Sequence, residues 1–242
     1  MVTEYLLPDS ADAAAAQLAD GAAVMAGGTT VMPAVLAGSL AAERVVGLAR
    51  AGLDRVERSG GRTVLGACVT LARVAALDGV PALSAAAAAV GGPALRNMAT
   101  VGGNLHVTAP YGDLGVPLLA LGAEVDGRPI EEFWAAGGGG LVRSIAFDDD
   151  PSSVYVRWAR RAANSPAVVC VAVSLGRVAI GGVAPHPVRS TGAEVQFDDP
   201  AAAGAAAAAE VDPPTDAIAS SWYRKRMTEL FVRRALEERH AV

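Results

Sequence analysis

Two short glycine-rich turns, Gly27-Gly28-Thr29-Thr30 and Thr100-Val101-Gly102-Gly103-Asn104, constrain this chain more than any other feature. The first follows the strand-like run Val24-Met25-Ala26 and leads into Val31 to Leu40, which reads as a helix with Pro33 tolerated in its first turn. The pattern is strand, tight turn, helix start. Residues without side-chain bulk let the backbone approach an anion closely, and successive N–H groups at a helix start form an anion-binding concavity. Thr29, Thr30 and Thr100 add hydroxyls, and Asn104 adds an amide. Neither turn is a G-x-G-x-x-G or a G-x-x-x-x-G-K-[ST], so neither of those nucleotide loops is supported. One such turn is commonly only a connection between strand and helix. Two of them, about seventy residues apart, could clamp both phosphates of one pyrophosphate.

Around these turns the chain alternates helical and strand-like runs. Ser10 to Ala19 reads as a helix with Ser10 as N-cap, and Leu71 to Leu77 and Ala82 to Val90 as Ala-rich helices. Arg44 to Leu48 and Thr63 to Val69 read as strands of one small mixed sheet, the second preceded by the Ser59-Gly60-Gly61 turn signal. Leu114 to Leu121 is apolar, and Gly137 to Gly140 marks a flexible loop before a Val142 to Phe147 strand. Asp148-Asp149-Asp150-Pro151 is the candidate domain boundary, giving domains 1–150 and 151–242. Beyond it, Val154 to Arg157, Val168 to Leu175 and Val178 to Val183 predict an antiparallel sheet of three strands, with Gly176 in a hairpin turn. Ala201 to Ala209 reads as an undemanding surface helix or a compositional bias rather than a site. The last helix, Trp222 to Arg239, places Tyr223, Met227, Leu230, Phe231 and Ala235 on one face, with Arg and Glu opposite.

Composition narrows the functions. Of 242 residues 52% are apolar and the net charge is −5, so the chain can bury a core and lacks the basic excess that nucleic-acid binding requires. No secretory signal is visible at Met1-Val2-Thr3-Glu4, and the longest apolar stretch is broken by Arg177, so a cytoplasmic protein without a membrane span is expected. The two cysteines, Cys68 and Cys170, lie far apart in apolar runs and read as small buried hydrophobes. They cannot supply the four thiolates of an iron–sulfur cluster, which would have to sit on a partner. His106, His186 and His240 are scattered without partners at ligand spacing, so no metal site is predicted. His106 reads as a surface-loop residue, with an approach to a cofactor as the alternative, and no catalytic nucleophile is seen.

The turns and their flanks resemble a known family. Ala26-Gly27-Gly28-Thr29-Thr30-Val31-Met32-Pro33 looks like the first FAD motif of the flavoprotein subunits of xanthine dehydrogenase and carbon monoxide dehydrogenase. Arg96-Asn97-Met98-Ala99-Thr100-Val101-Gly102-Gly103-Asn104-Leu105 matches the second, with Pro110 and Asp113-Leu114 at the family's spacing. Arg160-Arg161 with Val168 to Leu175, and Tyr223 to Met227 with Arg233 to Leu236, are similar to its C-terminal domain. The chain departs from the family at Thr30, at Ala109 and at Asn164-Ser165-Pro166.

The resemblance implies an α+β fold: a two-lobed FAD-binding domain of the PCMH type, then a C-terminal α/β domain with a three-stranded antiparallel sheet. It implies FAD contacts from Met25, Ala26, Gly27, Gly28, Thr29, Thr30 and Val31, and from Thr100, Val101, Gly102, Gly103 and Asn104. Asp113 would accept from a sugar or ribityl hydroxyl, with a helix N-cap as its alternative role, and Val142 would lie near the isoalloxazine. It further implies a molybdopterin-binding large subunit and a 2Fe-2S small subunit as partners. The function expected is an FAD-binding electron-transfer subunit of a molybdenum hydroxylase, carrying no substrate chemistry of its own. A stand-alone flavin oxidoreductase and a degenerate scaffold subunit are the alternatives.

Overall fold

The computed structural model describes residues 2–18, 21–161 and 164–241. Among them the chain forms three sheets. The first lobe runs β1 (Glu4–Leu6), α1 (Ala11–Ala16), β2 (Ala23–Met25), α2 (Val31–Leu36) and β3 (Arg44–Gly47). Its sheet has the order β1-β3-β2, and both pairings are parallel. Ser10 caps α1 by accepting from the Ala13 N–H at 3.1 Å, which starts the helix where its sequence indicates. Ala19, the expected last residue of that helix, lies outside the described residues. The second helix is shorter than its apolar run suggests, because Gly38 takes a φ of +67° just after it.

The second lobe contains β4 (Val56–Ser59), β5 (Arg62–Gly66), α3 (Leu71–Val74), α4 (Pro81–Ala89), α5 (Pro93–Arg96), α6 (Val101–Leu105) and α7 (Gly115–Ala120). It continues through β6 (Glu124–Val125), β7 (Arg128–Pro129), α8 (Ile130–Ala135) and β8 (Ser144–Asp148). Its sheet has the order β4-β5-β8-β6-β7 and is antiparallel throughout. Gly60 and Gly61 both have positive φ, the geometry of a two-residue hairpin whose twist matches its strands. The single mixed sheet expected from Arg44 to Leu48 and Thr63 to Val69 is not formed. With β1 and β2 on its two sides, β3 has no free edge for β5.

The last unit comprises β9 (Val154–Ala159), β10 (Ala167–Ser174), β11 (Arg177–Gly181), β12 (Val188–Arg189), α9 (Thr191–Val195), α10 (Pro200–Glu210) and α11 (Ser221–His240). The three expected strands are present, and the two-residue β12 adds a fourth at the edge of β11. All eight positions of β10 are buried, because both faces of the strand are covered. Val169, Val171 and Val173 pack with Phe231, Val232 and Leu236 of α11. Cys170 and Ala172, on the other face, join the core of the second lobe with Val116 and Leu119 of α7. Small residues on that face let the two units approach: a Cβ at Gly181 would lie 2.5 Å from Val116 and 2.7 Å from the Cys170 sulfur.

The buried stripe of α11 is rotated from the expected one. It comprises Arg224, Thr228, Phe231, Val232, Ala235 and Leu236, with Tyr223, Met227 and Leu230 at its margin. A charged residue enters this stripe because its donors are satisfied: the Arg224 guanidinium donates to the Val168 and Gly182 carbonyls and bidentately to Asp216. The Ala-rich α10 is also more than a surface helix, for Ala203, Gly204 and Ala207 are buried where it crosses α11.

Candidate functional site

The first glycine turn lies at the carboxyl end of β2, and the Leu48 to Asp54 loop leaves the carboxyl end of its parallel neighbour β3. Crevices at such ends are where open α/β sheets take ligands. A cleft of about 210 Å³ opens there, lined by Ala26 and Gly27, by Leu48, Leu53 and Asp54, and by Cys68, Thr70, Met98 and Thr100. The two turns therefore meet at one cleft. Gly27 is the point of closest approach, since a Cβ there would collide with the Met98 carbonyl oxygen.

The two turns use their backbones differently. Gly28 has a φ of +71°, and Thr30 precedes α2 without a side-chain cap bond. Among the described residues, the N–H groups of Gly27, Gly28, Thr29, Thr30 and Val31 have no protein acceptor. In the second turn the amides from Val101 to Asn104 are all taken. Val101 donates to the Val69 carbonyl and Gly102 to the Ala67 carbonyl, both at 2.9 Å. Gly103 donates to the Thr100 hydroxyl at 3.2 Å, and Asn104 to the Thr100 carbonyl at 2.9 Å. Among the described residues, a run of successive unpartnered amides thus stands at the first turn alone. What the second turn leaves for a ligand is the Thr100 backbone N–H and hydroxyl hydrogen and the Asn104 side-chain N–H groups, the Asn104 Oδ1 being engaged by the Leu114 N–H at 3.1 Å. Gly102 is required by packing, because a Cβ there would lie 2.7 Å from the Ala67 Cβ.

Asp113 sits elsewhere, at a narrow cavity of about 10 Å³ between the second lobe and the last unit, with Pro110, Cys170 and His186. It does not cap α7: the residue before that helix is Leu114, and no side chain caps it. Burial pushes the Asp113 carboxyl above its usual value, and the Arg157 charge opposes that shift. Burial likewise pushes the nearby Tyr155 phenol well up. Val142 is buried in the core just ahead of β8. His106, at the end of α6, is exposed, yet its ring is held by two carbonyls: Nδ1 is 2.8 Å from the Gly102 oxygen and Nε2 is 3.2 Å from that of Gly140.

Several cleft residues escape sequence reasoning. Cys68 lies in the lining rather than fully inside, with its thiol pushed up to about 11 by burial and by the Asp54 charge. Thr70 reaches the cleft because it bridges to Thr100 as an isolated antiparallel pair. The signal that would have found Leu48 to Asp54 was the parallel pairing of β2 with β3, which puts both following loops at the same end.

Residues 1–132 match the family described as the FAD binding domain in molybdopterin dehydrogenase, and residues 154–239 match the CO dehydrogenase flavoprotein C-terminal domain. Among curated proteins, the chain is 27% identical over 190 residues to a glyceraldehyde dehydrogenase medium chain of Sulfolobus acidocaldarius, covering 66% of this chain and 68% of that one. It is 31% identical over 136 residues to subunit alpha of a 6-hydroxypseudooxynicotine dehydrogenase complex of Paenarthrobacter nicotinovorans, covering 53% of this chain and 46% of that one. The fold matches a chain of the carbon monoxide dehydrogenase of Hydrogenophaga pseudoflava with a TM-score of 0.87 at 24% identity, covering 100% of this chain and 98% of that one. It also matches a chain of quinoline 2-oxidoreductase from Pseudomonas putida 86, with a TM-score of 0.85 at 22% identity over 100% and 98%.

Proposed function

The chain belongs to the family of FAD-binding domains of molybdopterin dehydrogenases, and from that premise we propose that it is the electron-transfer flavoprotein subunit of a molybdenum hydroxylase complex. The observation that carries the reading is the row of five unpartnered amides, Gly27 to Val31, beside the cleft at which both glycine turns meet. That donor set suits the diphosphate of FAD, since neutral amides at close range hold an anion without a basic side chain, and the cleft lining contains none. FAD, when bound, supplies a carrier that accepts and releases electrons. The chain's own contribution is to hold it. Met25 to Val31 take the pyrophosphate, Thr100 and Asn104 add side-chain donors, and Val101 to Gly103 set the spacing of the two turns. Asp113 accepts from a hydroxyl of the cofactor, and Val142 lines its flavin end.

Electrons reach this chain from iron–sulfur clusters on a 2Fe-2S small subunit, which draws them from a molybdopterin-binding large subunit, and leave to NAD, oxygen or another acceptor. The names of the relatives, a medium chain and a complex subunit, support such an assembly. The seam between FAD-binding and C-terminal domains falls at residues 150 and 151. A cytoplasmic setting suits these partners, and among the described residues no helix is long and apolar enough to cross a membrane.

The test has two stages. The purified chain, incubated with FAD and desalted, should keep a flavin absorption spectrum at about one flavin per chain. The complex isolated from its native cells should then contain molybdenum and iron with this chain, and its substrate should bleach the flavin band. A chain colourless both alone and in its native assembly sinks the reading. A flavin-loaded chain isolated without molybdenum or iron partners sinks the electron-transfer part of it.

A further inference from the structure

His106 stands at the C-cap of α6, with its ring edge-on to Phe133 at 5.5 Å between centroids and 85° between planes. Its two nitrogens face two backbone carbonyls, Gly102 of the second glycine turn at 2.8 Å and Gly140 at 3.2 Å. Carbonyl oxygens only accept. A neutral imidazole carries one N–H, so it can satisfy one of them and must turn a lone pair toward the other. An imidazolium donates to both.

What the ring ties down has little else to hold it. Gly137, Gly138 and Gly140 all have positive φ, at +90°, +60° and +91°. The amides of Gly137 and Gly138 close the end of α8 on Trp134 and Phe133. From Gly139 to Val142, the contact of Gly140 with His106 is the single hydrogen bond among the described residues. Regular pairing resumes after Arg143, whose N–H donates to Asp126.

We infer that His106 is a positioning residue whose protonated ring clasps the Gly137–Gly140 segment to the second glycine turn, so that the segment leading into Val142 is held at low pH and loosened as the ring loses its second proton. For its effect on the cofactor, this rests on the function proposed above. The charged groups on the elements packed around the ring are Glu131 and Glu132 of α8, Arg143 after the segment and Asp113 after the turn. None reaches the ring in a hydrogen bond or ion pair among the described residues. Arg143 pairs with Asp12 at 2.7 Å, and Glu131 acts on Arg189.

The experiment uses the flavin-free full chain. Hydrogen–deuterium exchange of the hydrogen-bonded amides of the clasped segment, Gly137 and Gly138, corrected for intrinsic exchange, is followed between about pH 8 and pH 5.5, the range in which imidazoles ordinarily titrate. Protection in the parent should rise about three- to tenfold as the pH falls, the effect of one added charge-assisted hydrogen bond. His106→Phe, which keeps the ring packing on Phe133, should show no such rise. Nitrogen NMR of the parent imidazole supplies a second reading that needs no variant: both ring nitrogens should carry slowly exchanging protons at the acid end. Equal pH dependence in parent and variant, or a single neutral tautomer persisting to pH 5.5, overturns the clasp. With FAD added, release should be slower at the acid end in the parent and equally fast at both ends in His106→Phe. Since exchange is read without flavin, a chain that takes up no FAD overturns the function proposed above, while the clasp stands or falls on the exchange data.

Discussion

In the first glycine turn the amides from Gly27 to Val31 find no acceptor in the described protein, whereas in the second the amides from Val101 to Asn104 are all hydrogen-bonded, three of them to Ala67, Val69 and the Thr100 hydroxyl. Both turns join an extended segment to a short helix, and both place glycine where a side chain would collide. The difference lies in what the backbone polar groups do. A turn with free amides at a cleft is a donor surface, and a turn whose amides are spent is a packing joint that fixes where the donors stand. Changes in the first should therefore appear in cofactor affinity, and changes in the second should appear first in stability.

Gly27 belongs to both sides of this comparison and should show the largest effect. In Gly27→Ala the added methyl meets the Met98 carbonyl, which is backbone and cannot rotate away. The turns must part, so the variant should lose about 1–3 kcal/mol in chemical denaturation, the usual cost of overpacking. It should also bind FAD more than tenfold more weakly in a fluorescence titration, about 1.4 kcal/mol. An unchanged affinity would mean that the spacing of the turns does not matter to the ligand, and the donor-and-joint distinction would fail.

A paired substitution comes next. Thr100→Val keeps the shape but removes the acceptor of the Gly103 N–H, and losing such a cap costs about 1 kcal/mol. Its melting temperature should fall by roughly 2–4 °C for a chain of this size. Thr29→Ala removes a half-buried hydroxyl with no partner among the described residues, so its melting temperature should hold while its FAD affinity falls by about threefold to tenfold. Calorimetry and titration on both variants would break the comparison if the two responses were exchanged.

The chain's sequence made some of this legible and hid the rest for physical reasons. The strand, turn and helix start at Met25 to Val31 could be read because glycine and β-branched residues carry strong local signals. The unbroken run of β10 was recognisable as buried strand, since covering both faces removes any alternation. Which turn keeps its amides free was not legible. Val69 and Ala67 accept from the second turn only because β5 ends beside it, a pairing set by tertiary packing over some thirty residues. Arg224 was misplaced for a similar reason: a guanidinium reads as surface unless its buried partners, the Val168 and Gly182 carbonyls and Asp216, are known. Composition predicted a surface role for α10, yet alanine and glycine are also what close helix crossing selects, as Gly204 against the Glu229 carbonyl shows.

The smallest effect expected concerns Asp113, which the second turn helps to place, because Asn104 holds the Leu114 N–H next to it. Burial raises the Asp113 carboxyl above its ordinary value, with Arg157 in opposition. A carboxyl raised in the folded state favours folding in its protonated form. That contribution is complete below the unfolded value, about 3.9, and disappears as the pH climbs through the raised one, above which a buried carboxylate is left. Asp113→Asn keeps the shape without the charge. Its melting temperature relative to the parent should therefore gain as the pH rises from about 4 through the raised value, reaching on the order of 1 °C, while its FAD affinity falls for want of a carboxylate acceptor. Stability and binding would then move in opposite directions at one residue, as expected where a packing joint presents a group to a ligand at some cost to itself. Should the variant instead melt lower than the parent as the pH rises, Asp113 would be stabilising the fold, and the second turn would have no part in presenting it to the cofactor.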